Sequence, residues 1–229
     1  MLSKSHSSSS AFTRIELVVA LVIPAVILVL AWPAFTNALT KRDLTRTMNN
    51  GRELYLAAFR MATDGAAKSD ANLAWPGDYP VNSLAEYCGK LVERDYVKPT
   101  DLQRMLSAPG AACSVTTNGS PPATTLTGAS AFKIYKVKTT DPPTTIFAAS
   151  SNYIYATPLN PDAKPFGEGG FIVVHKSGDA DLFGKNRATP AGFENSAKEF
   201  QSAIGIGKLP GAPDGAVNPG DGATALAGP

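Results

Sequence analysis

Hydrophobic positions dominate one stretch near the start of the chain. From Leu17 to Phe35, nineteen consecutive residues carry no charged side chain. As a helix this run would span about 28 Å, close to the thickness of a bilayer's hydrocarbon core. Two features are unusual for a plain anchor, namely Glu16 at its start and two prolines, Pro24 and Pro33, inside it. Each proline removes a helical hydrogen-bond donor, so kinks are expected at both.

Beyond Phe35 the pattern changes from uniformly apolar to amphipathic. Apolar residues recur at three- and four-residue steps with charged residues between them, which predicts a helix with one buried face. The helix is expected to end at Asp64-Gly65. The pattern therefore predicts one helix, about 78 Å long, from Phe12 to about Thr63. The residues of the buried face are Leu44, Met48, Gly51, Tyr55, Ala58, Phe59 and Ala62.

Two short helices and a loop are predicted next. Ser83 to Glu86 forms a capping box, which predicts a helix from Leu84 to about Arg94. Thr100 to Gln103 repeats the capping pattern before a third helix. Ser107 to Ala131 is rich in small and polar residues and predicts a long surface loop. Between the first two helices, Trp75 and Tyr79 are expected to seal the edge of the core.

The chain after Ala131 favours β-structure. An antiparallel sheet of three to five strands, packed on the amphipathic half of the long helix, would give both elements a buried face. The predicted fold class is therefore α+β, a long N-terminal helix on a small antiparallel sheet. The predicted strands are Phe132 to Lys138, Ile146 to Ala149, Tyr153 to Ala156, Phe171 to Lys176 and Ala180 to Phe183.

The last part of the chain, 190–229, is predicted to be a flexible tail rich in Gly, Pro and Ala. Phe193 to Ile204 could form a short helix. Gly205 to Pro229 contains seven Gly and four Pro, a composition typical of disorder.

The start of the long helix resembles a known family. Phe12, Glu16 and Pro33, with the apolar run between them, are similar to the N-terminal segment of type IV pilins and type II secretion pseudopilins. The chain departs from the family in three places: Ala11 stands where Gly is usual, Arg14 stands where an apolar residue is usual, and Pro24 is additional. The fold and length expected above agree with this resemblance.

The resemblance implies a route of processing. A prepilin peptidase would cleave the leader, 1–11, between Ala11 and Phe12, and the new amine of Phe12 would be methylated. Residues 12–35 would then be the transmembrane and assembly helix, with Glu16 and Pro33 acting in assembly. Residues 36–189 would be a periplasmic pilin-like head that includes the second half of the helix.

The implied function is structural and not enzymatic. The protein would be a single-pass protein of the bacterial inner membrane and a subunit of a type IV pilus-like filament or a type II secretion pseudopilus. Its implied partners are the prepilin peptidase, other pilin or pseudopilin subunits, the inner-membrane assembly machinery and the membrane itself. The alternative is a membrane-anchored periplasmic binding or interaction protein. Basic residues on both sides of the apolar run leave the orientation open.

Charge and motifs give no support for nucleic-acid binding or for several classes of enzyme. A net charge of +2, without a basic patch interleaved with aromatic residues, gives no reason to expect nucleic-acid binding. Motifs of hydrolases, metalloproteases and nucleotide-binding enzymes are missing from the sequence. His175 is expected to be a half-exposed strand residue instead of a catalytic base.

The two cysteines, Cys88 and Cys113, both fall in the predicted head. A disulfide between them would close a loop of about 25 residues and stabilise the head by roughly 3 to 4 kcal/mol. Two separate buried thiols are the alternative, and the sequence does not decide between them.

No cofactor is expected, with calcium as the one candidate. Carboxylates cluster in the predicted turns, and some pseudopilins bind calcium in such a region. We favour solvated turn residues over ligands here. The candidates are Asp162, Glu168, Asp179 and Asp181.

Overall fold

The computed structural model describes residues 14–119, 123–193 and 225–229, and its fold is α+β as predicted. The chain divides into two compact units, Met1–Leu39 and Thr40–Pro229. The first helix, α1 (Arg14–Lys68), begins in the first unit and ends in the second. The other elements are α2 (Leu84–Glu93), α3 (Pro99–Met105), β1 (Cys113–Asn118), β2 (Ala123–Gly128), β3 (Phe132–Ile134), β4 (Ile146–Ser150), β5 (Phe171–His175) and β6 (Ala180–Phe183).

Helix α1 is continuous over 55 residues. The helix continues through Pro24 and Pro33, and the kinks that the sequence predicts at these residues stay a prediction. Each proline removes only one donor, and the turns on both sides remain helical. At the second proline, the hydroxyl of Thr36 donates to the carbonyl of Pro33 at 3.0 Å.

The end of α1 differs from the prediction. The helix passes the expected stop at Asp64-Gly65 and ends at Lys68, followed by Ser69 with a φ of +53°. Gly65 serves packing instead of termination, because a β-carbon there would lie 1.7 Å from the carbonyl oxygen of Leu73. The loop after the helix therefore crosses directly over this glycine.

The second half of α1 packs against a four-stranded antiparallel sheet with the order β3-β4-β5-β6. Gly51 makes the close approach: a β-carbon there would lie 2.9 Å from the ring of Phe132 on β3 and 2.9 Å from Val174 on β5. Small residues on the helix thus let its backbone come near the sheet. Other buried residues of this half of α1 include Leu44, Leu54, Tyr55, Ala58 and Met61.

The sheet has the predicted strands except one. Residues Tyr153 to Ala156 form turns and no strand, and Ala156 has a φ of +52°. The apolar character of this run reflects core packing, because the ring of Tyr153 stacks on Phe171 with centroids 4.3 Å apart. The prediction of a strand there was wrong.

The predicted long surface loop contains a β-hairpin. Strands β1 and β2 pair antiparallel in a separate two-stranded sheet, with Val115 opposite Leu126. These two side chains are buried while most of their neighbours are exposed, so the alternation is present but is carried by few apolar residues. Gly119, with a φ of +88°, follows β1 at the turn.

The two short helices have different caps. Ser83 accepts a hydrogen bond from the backbone N–H of Glu86 at 3.2 Å, so the predicted cap of α2 is confirmed. Helix α3 begins at Pro99, before the predicted capping residue Thr100, and Lys98 at its N-cap makes no side-chain capping bond. Pro99 suits the first helical position because no intrahelical partner is needed for its nitrogen.

In its described residues, the predicted flexible tail, 190–229, contains two segments with defined structure. Pro190–Phe193 forms a 3-10 helix, and residues 194–224 lie outside the described residues, as does most of the predicted helix to Ile204. We call Ala225–Pro229 the Leu226 segment. It pairs with the head, through bridges of Tyr135 with Ala225 and of Ser83 with Ala227, and Leu226 is 4% exposed.

Candidate functional site: the apolar half of α1

The first half of α1 is an exposed apolar surface. Every residue from Arg14 to Ala38 is exposed, including Ile15 at 76% and Leu30 at 73%. An 18-residue window of this helix has a mean hydropathy of 2.7, and the helix is long and apolar enough to span a membrane. An exposed apolar surface of this extent is typical of segments that contact lipid or other apolar helices.

Glu16 lies in the first turn of α1, directly before the apolar run. A carboxylate in this position interacts favourably with the helix dipole, which makes it compatible with the helix start. Pro33 lies near the other end of the run and is exposed. The predicted cleavage residues, Ala11 and Phe12, lie outside the described residues, so Glu16 and Pro33 are the two assembly candidates that the structure places.

A band of polar residues ends the apolar surface. Lys41, Arg42 and Arg46 are exposed, and Arg42 pairs with Asp43 at 2.8 Å. Basic side chains at the end of an apolar helix suit the headgroup region of a membrane. Helix α1 therefore changes from an apolar to a polar surface at the boundary between the two units.

In the second unit, α1 is held by a polar contact with α3. Asn50 is 5% exposed, and its amide donates to the carbonyl of Arg104 at 3.2 Å. The guanidinium of Arg104 donates to the side-chain oxygen of Asn50 at 3.0 Å and also to Glu53. The hydrogen bond to Glu53 raises the pKa of Arg104 despite its partial burial. These contacts fix the orientation of α1 about its own axis.

On its other side α1 contacts the loops at the far end of the sheet. The hydroxyl of Tyr55 donates to the carbonyl of Lys176 at 2.8 Å. Its ring lies 5.8 Å from that of Phe147 and 6.0 Å from that of Trp75. Trp75 is 6% exposed, so the prediction that it seals the edge of the core is confirmed.

Lys176 ties two loops together above this aromatic cluster. Its ammonium donates to the carbonyls of Thr139 and Asp141 at 2.6 Å each and lies 6.0 Å from the ring centre of Trp75. Burial lowers the pKa of Lys176 while the carboxylate of Asp141 acts in the opposite direction. Its polar partners are loop carbonyls, so we interpret Lys176 as a structural residue.

Both cysteines are free thiols and are buried, with Cys88 on α2 at 0% and Cys113 on β1 at 2% exposure. Burial raises the pKa of the Cys88 thiol, and nearby Cys113 raises it further. Burial also raises the pKa of Cys113. The structure therefore has the second of the two alternatives, two buried thiols.

We expect both thiols to resist alkylation in the native protein, because the thiolate is the reactive form and burial disfavours it. In denaturant without reductant, two alkyl groups per chain should be added, as measured by intact mass. A sample reduced before denaturation is the control and should give the same mass. Alkylation only after reduction would instead show the disulfide between Cys88 and Cys113.

The four calcium candidates do not form one cluster. Among the described residues, no three His, Cys, Asp or Glu side chains come together in a way that could hold a metal ion. Glu168 pairs with Lys185 at 3.2 Å, and Asp179 accepts from the hydroxyl of Ser177 at 2.9 Å. The backbone N–H of Asp162 donates to the side chain of Asn160, and Asp181 lies 3.5 Å from the Nε2 atom of His175.

His175 is more buried than predicted. It is 7% exposed, and its Nδ1 atom lies 2.8 Å from the carbonyl oxygen of Thr144. The sequence predicted a half-exposed strand residue, but the loop before β4 covers the ring. Its neighbours give the ring a structural position between β5, β6 and this loop.

The fold and the surface together define a class: a globular α+β head carried on an apolar N-terminal helix. No family model matches the chain, and comparisons with curated proteins and with solved structures find no match either. A more specific role therefore depends on the residues of α1 themselves.

Proposed function

We propose that this chain is a structural subunit of a type IV pilus-like filament or a type II secretion pseudopilus. The observation that carries the proposal is the composition of α1: a single helix joins an exposed apolar half, which begins at Glu16, to a half with one face buried in the head. A plain anchor needs the first half alone. A filament subunit needs both, because the helix must bind its neighbours and also carry the head.

The charge at Glu16 supports assembly through this helix. An ionised carboxylate at the centre of a membrane helix costs about 3 kcal/mol on insertion scales, and at the edge of the hydrocarbon region it still adds a smaller cost that a plain anchor does not need. In the proposal, the amine of Phe12 from a neighbouring subunit provides the opposite charge. A pair of this kind sets the axial register between two helices, because other staggers separate the charges.

The apolar surface supports the same role in a second way. In the membrane it is covered by lipid, and in a filament it would be covered by the same surface of other subunits. Neither environment is water, so the apolar surface stays buried in the membrane and in the filament. Transfer of the helix from one to the other therefore exposes little apolar area to water. The basic band at Lys41, Arg42 and Arg46 would stay at the edge of this apolar region.

Processing provides the first test. We expect the chain, produced in a bacterium with a prepilin peptidase, to be recovered from membranes with methylated Phe12 as its N-terminal residue, as measured by intact mass and peptide sequencing. Ala11→Gly, which restores the family's usual residue, is the matched variant and should increase the processed fraction. A stable membrane protein that keeps Met1 in both versions would contradict the proposal and favour the anchored interaction protein.

A further inference from the structure

The Leu226 segment lies in a groove between β3 and the start of α2. The backbone N–H of Leu226 donates to the carbonyl of Ile134 at 2.8 Å. On the opposite side, Ala227 donates to the carbonyl of Asn82 at 2.9 Å and accepts from the N–H of Leu84 at 2.8 Å. The segment is thus hydrogen-bonded to the head on both sides.

The segment contacts a strand edge through its backbone and the apolar core through Leu226. Strand β3 is an outer strand of its sheet, so the edge that does not pair with β4 presents backbone groups to an extended chain. Leu84 is the first residue of α2, and its N–H has no partner within the helix. The side chain of Leu226 belongs to the core of the head, whereas Ala227 is exposed.

These contacts are local and few. The described part of the chain before the segment ends at Phe193, and about 31 residues separate it from Ala225. Among the described residues of the tail beyond Phe193, these contacts are made by Ala225–Pro229, with Leu226 as the large apolar side chain. Strand addition to a sheet edge works in this manner: backbone hydrogen bonds provide affinity, and a side-chain pocket provides specificity.

We propose that the groove between β3 and α2 is a strand-addition site that accepts the Leu226 segment of a second copy of this chain. A second copy carries the same segment, so the same hydrogen bonds and the same burial of Leu226 form within one chain or between two. Exchange of an identical element between copies has a low cost for this reason. The proposal does not depend on assembly through the N-terminal helix.

Isotope-mixed crosslinking tests the exchange. Gly228 is suited to carry a photo-crosslinking side chain, because a β-carbon there would meet no atom within 4 Å. A light full-length chain with this crosslinker is mixed in detergent with a heavy, nitrogen-15-labelled chain without it. We expect crosslinked peptides that join the light position 228 to heavy residues near Asn82 to Leu84, in a fraction that rises with protein concentration.

Two controls distinguish exchange of the Leu226 segment from nonspecific crosslinking between neighbouring chains. Leu226→Asp in the light chain should reduce the light–heavy product at least about tenfold, because a buried leucine contributes enough binding free energy for such a change. An excess of a synthetic peptide of residues 223–229 should also reduce it, without any variant that alters folding. Light–light products alone at every concentration would overturn the proposal, and so would light–heavy products that neither control reduces.

Discussion

Glu16→Ala is expected to remove the protein from filaments while it remains in the membrane with a folded head. In the proposed assembly this substitution leaves the amine of a neighbouring Phe12 without its opposite charge. Breaking a buried ion pair by removing one partner costs about 3 to 5 kcal/mol, which corresponds to more than a hundredfold loss of incorporation. The measurement is the amount of the variant in sheared filaments relative to the amount in membranes, in cells that carry the assembly machinery.

Two variants control for effects of position and of charge. Glu93→Ala removes an exposed carboxylate from α2, in the second unit, and should be incorporated at close to the wild-type level. Glu16→Asp keeps the charge on a shorter side chain and should restore part of the incorporation. If Glu16→Ala enters filaments like the wild type, Glu16 is only an interfacial residue, and the anchored interaction protein becomes the better hypothesis.

Gly65→Ala is expected to lower the free energy of unfolding of the head by about 3 kcal/mol, the upper range for overpacking. The new β-carbon would lie 1.7 Å from the carbonyl oxygen of Leu73, so the loop after α1 must move. Alanine is the better helix former by about 1 kcal/mol, so a loss of stability cannot come from helix propensity. The crowded backbone is therefore the only source of the expected effect.

Denaturant unfolding followed by tryptophan fluorescence measures this effect. The chain has two tryptophans, so a Trp32→Phe background leaves buried Trp75 as the reporter of the head. Gly184→Ala is the matched control, since Gly184 has a φ of −73° and a β-carbon there would meet no atom within 4 Å. An equal midpoint for Gly65→Ala and Gly184→Ala would show that the loop does not cross Gly65 closely.

Local signals in the sequence predicted the elements that are stabilised locally. Helix α2 follows from the cap at Ser83 and from apolar residues at helical spacing, and both act within one short segment. The end of α1 could not be predicted in this way. The pair Asp64-Gly65 resembles a helix stop signal. In the fold, however, Leu73 lies over Gly65, so this glycine allows close packing and does not end the helix.

The two largest differences between the predicted and the observed elements arise in segments whose composition is typical of loops. Strands β1 and β2 consist mainly of small and hydroxyl-bearing residues, so their alternation rests on Val115 and Leu126 and resembles a loop. The Leu226 segment follows a stretch rich in Gly and Pro, and a single leucine gives no periodic pattern. Both segments are ordered by partners elsewhere in the chain, which a local reading of hydrophobicity does not include.

The candidate site was predictable to the extent that it lies within one helix. Spacing alone placed Glu16 at the start of the apolar run and Pro33 near its end, and the structure has both on α1. The hydrogen bonds between Asn50 and Arg104 were not predicted, because the two residues are distant in sequence and are polar. Nothing in a hydrophobicity pattern marks a polar pair that meets only after folding.

The packing of the second half of α1 in the head has a mechanical consequence. A tensile load applied to the chain before Thr40 would reach the head through α1, because the helix is continuous across that point. From Leu44 to Met61 the buried face extends over about 26 Å of helix axis. Contacts spread along the direction of a pull share the load and yield together. We therefore expect the head to resist tension as one cooperative unit, with a rupture force set by its rate of unfolding.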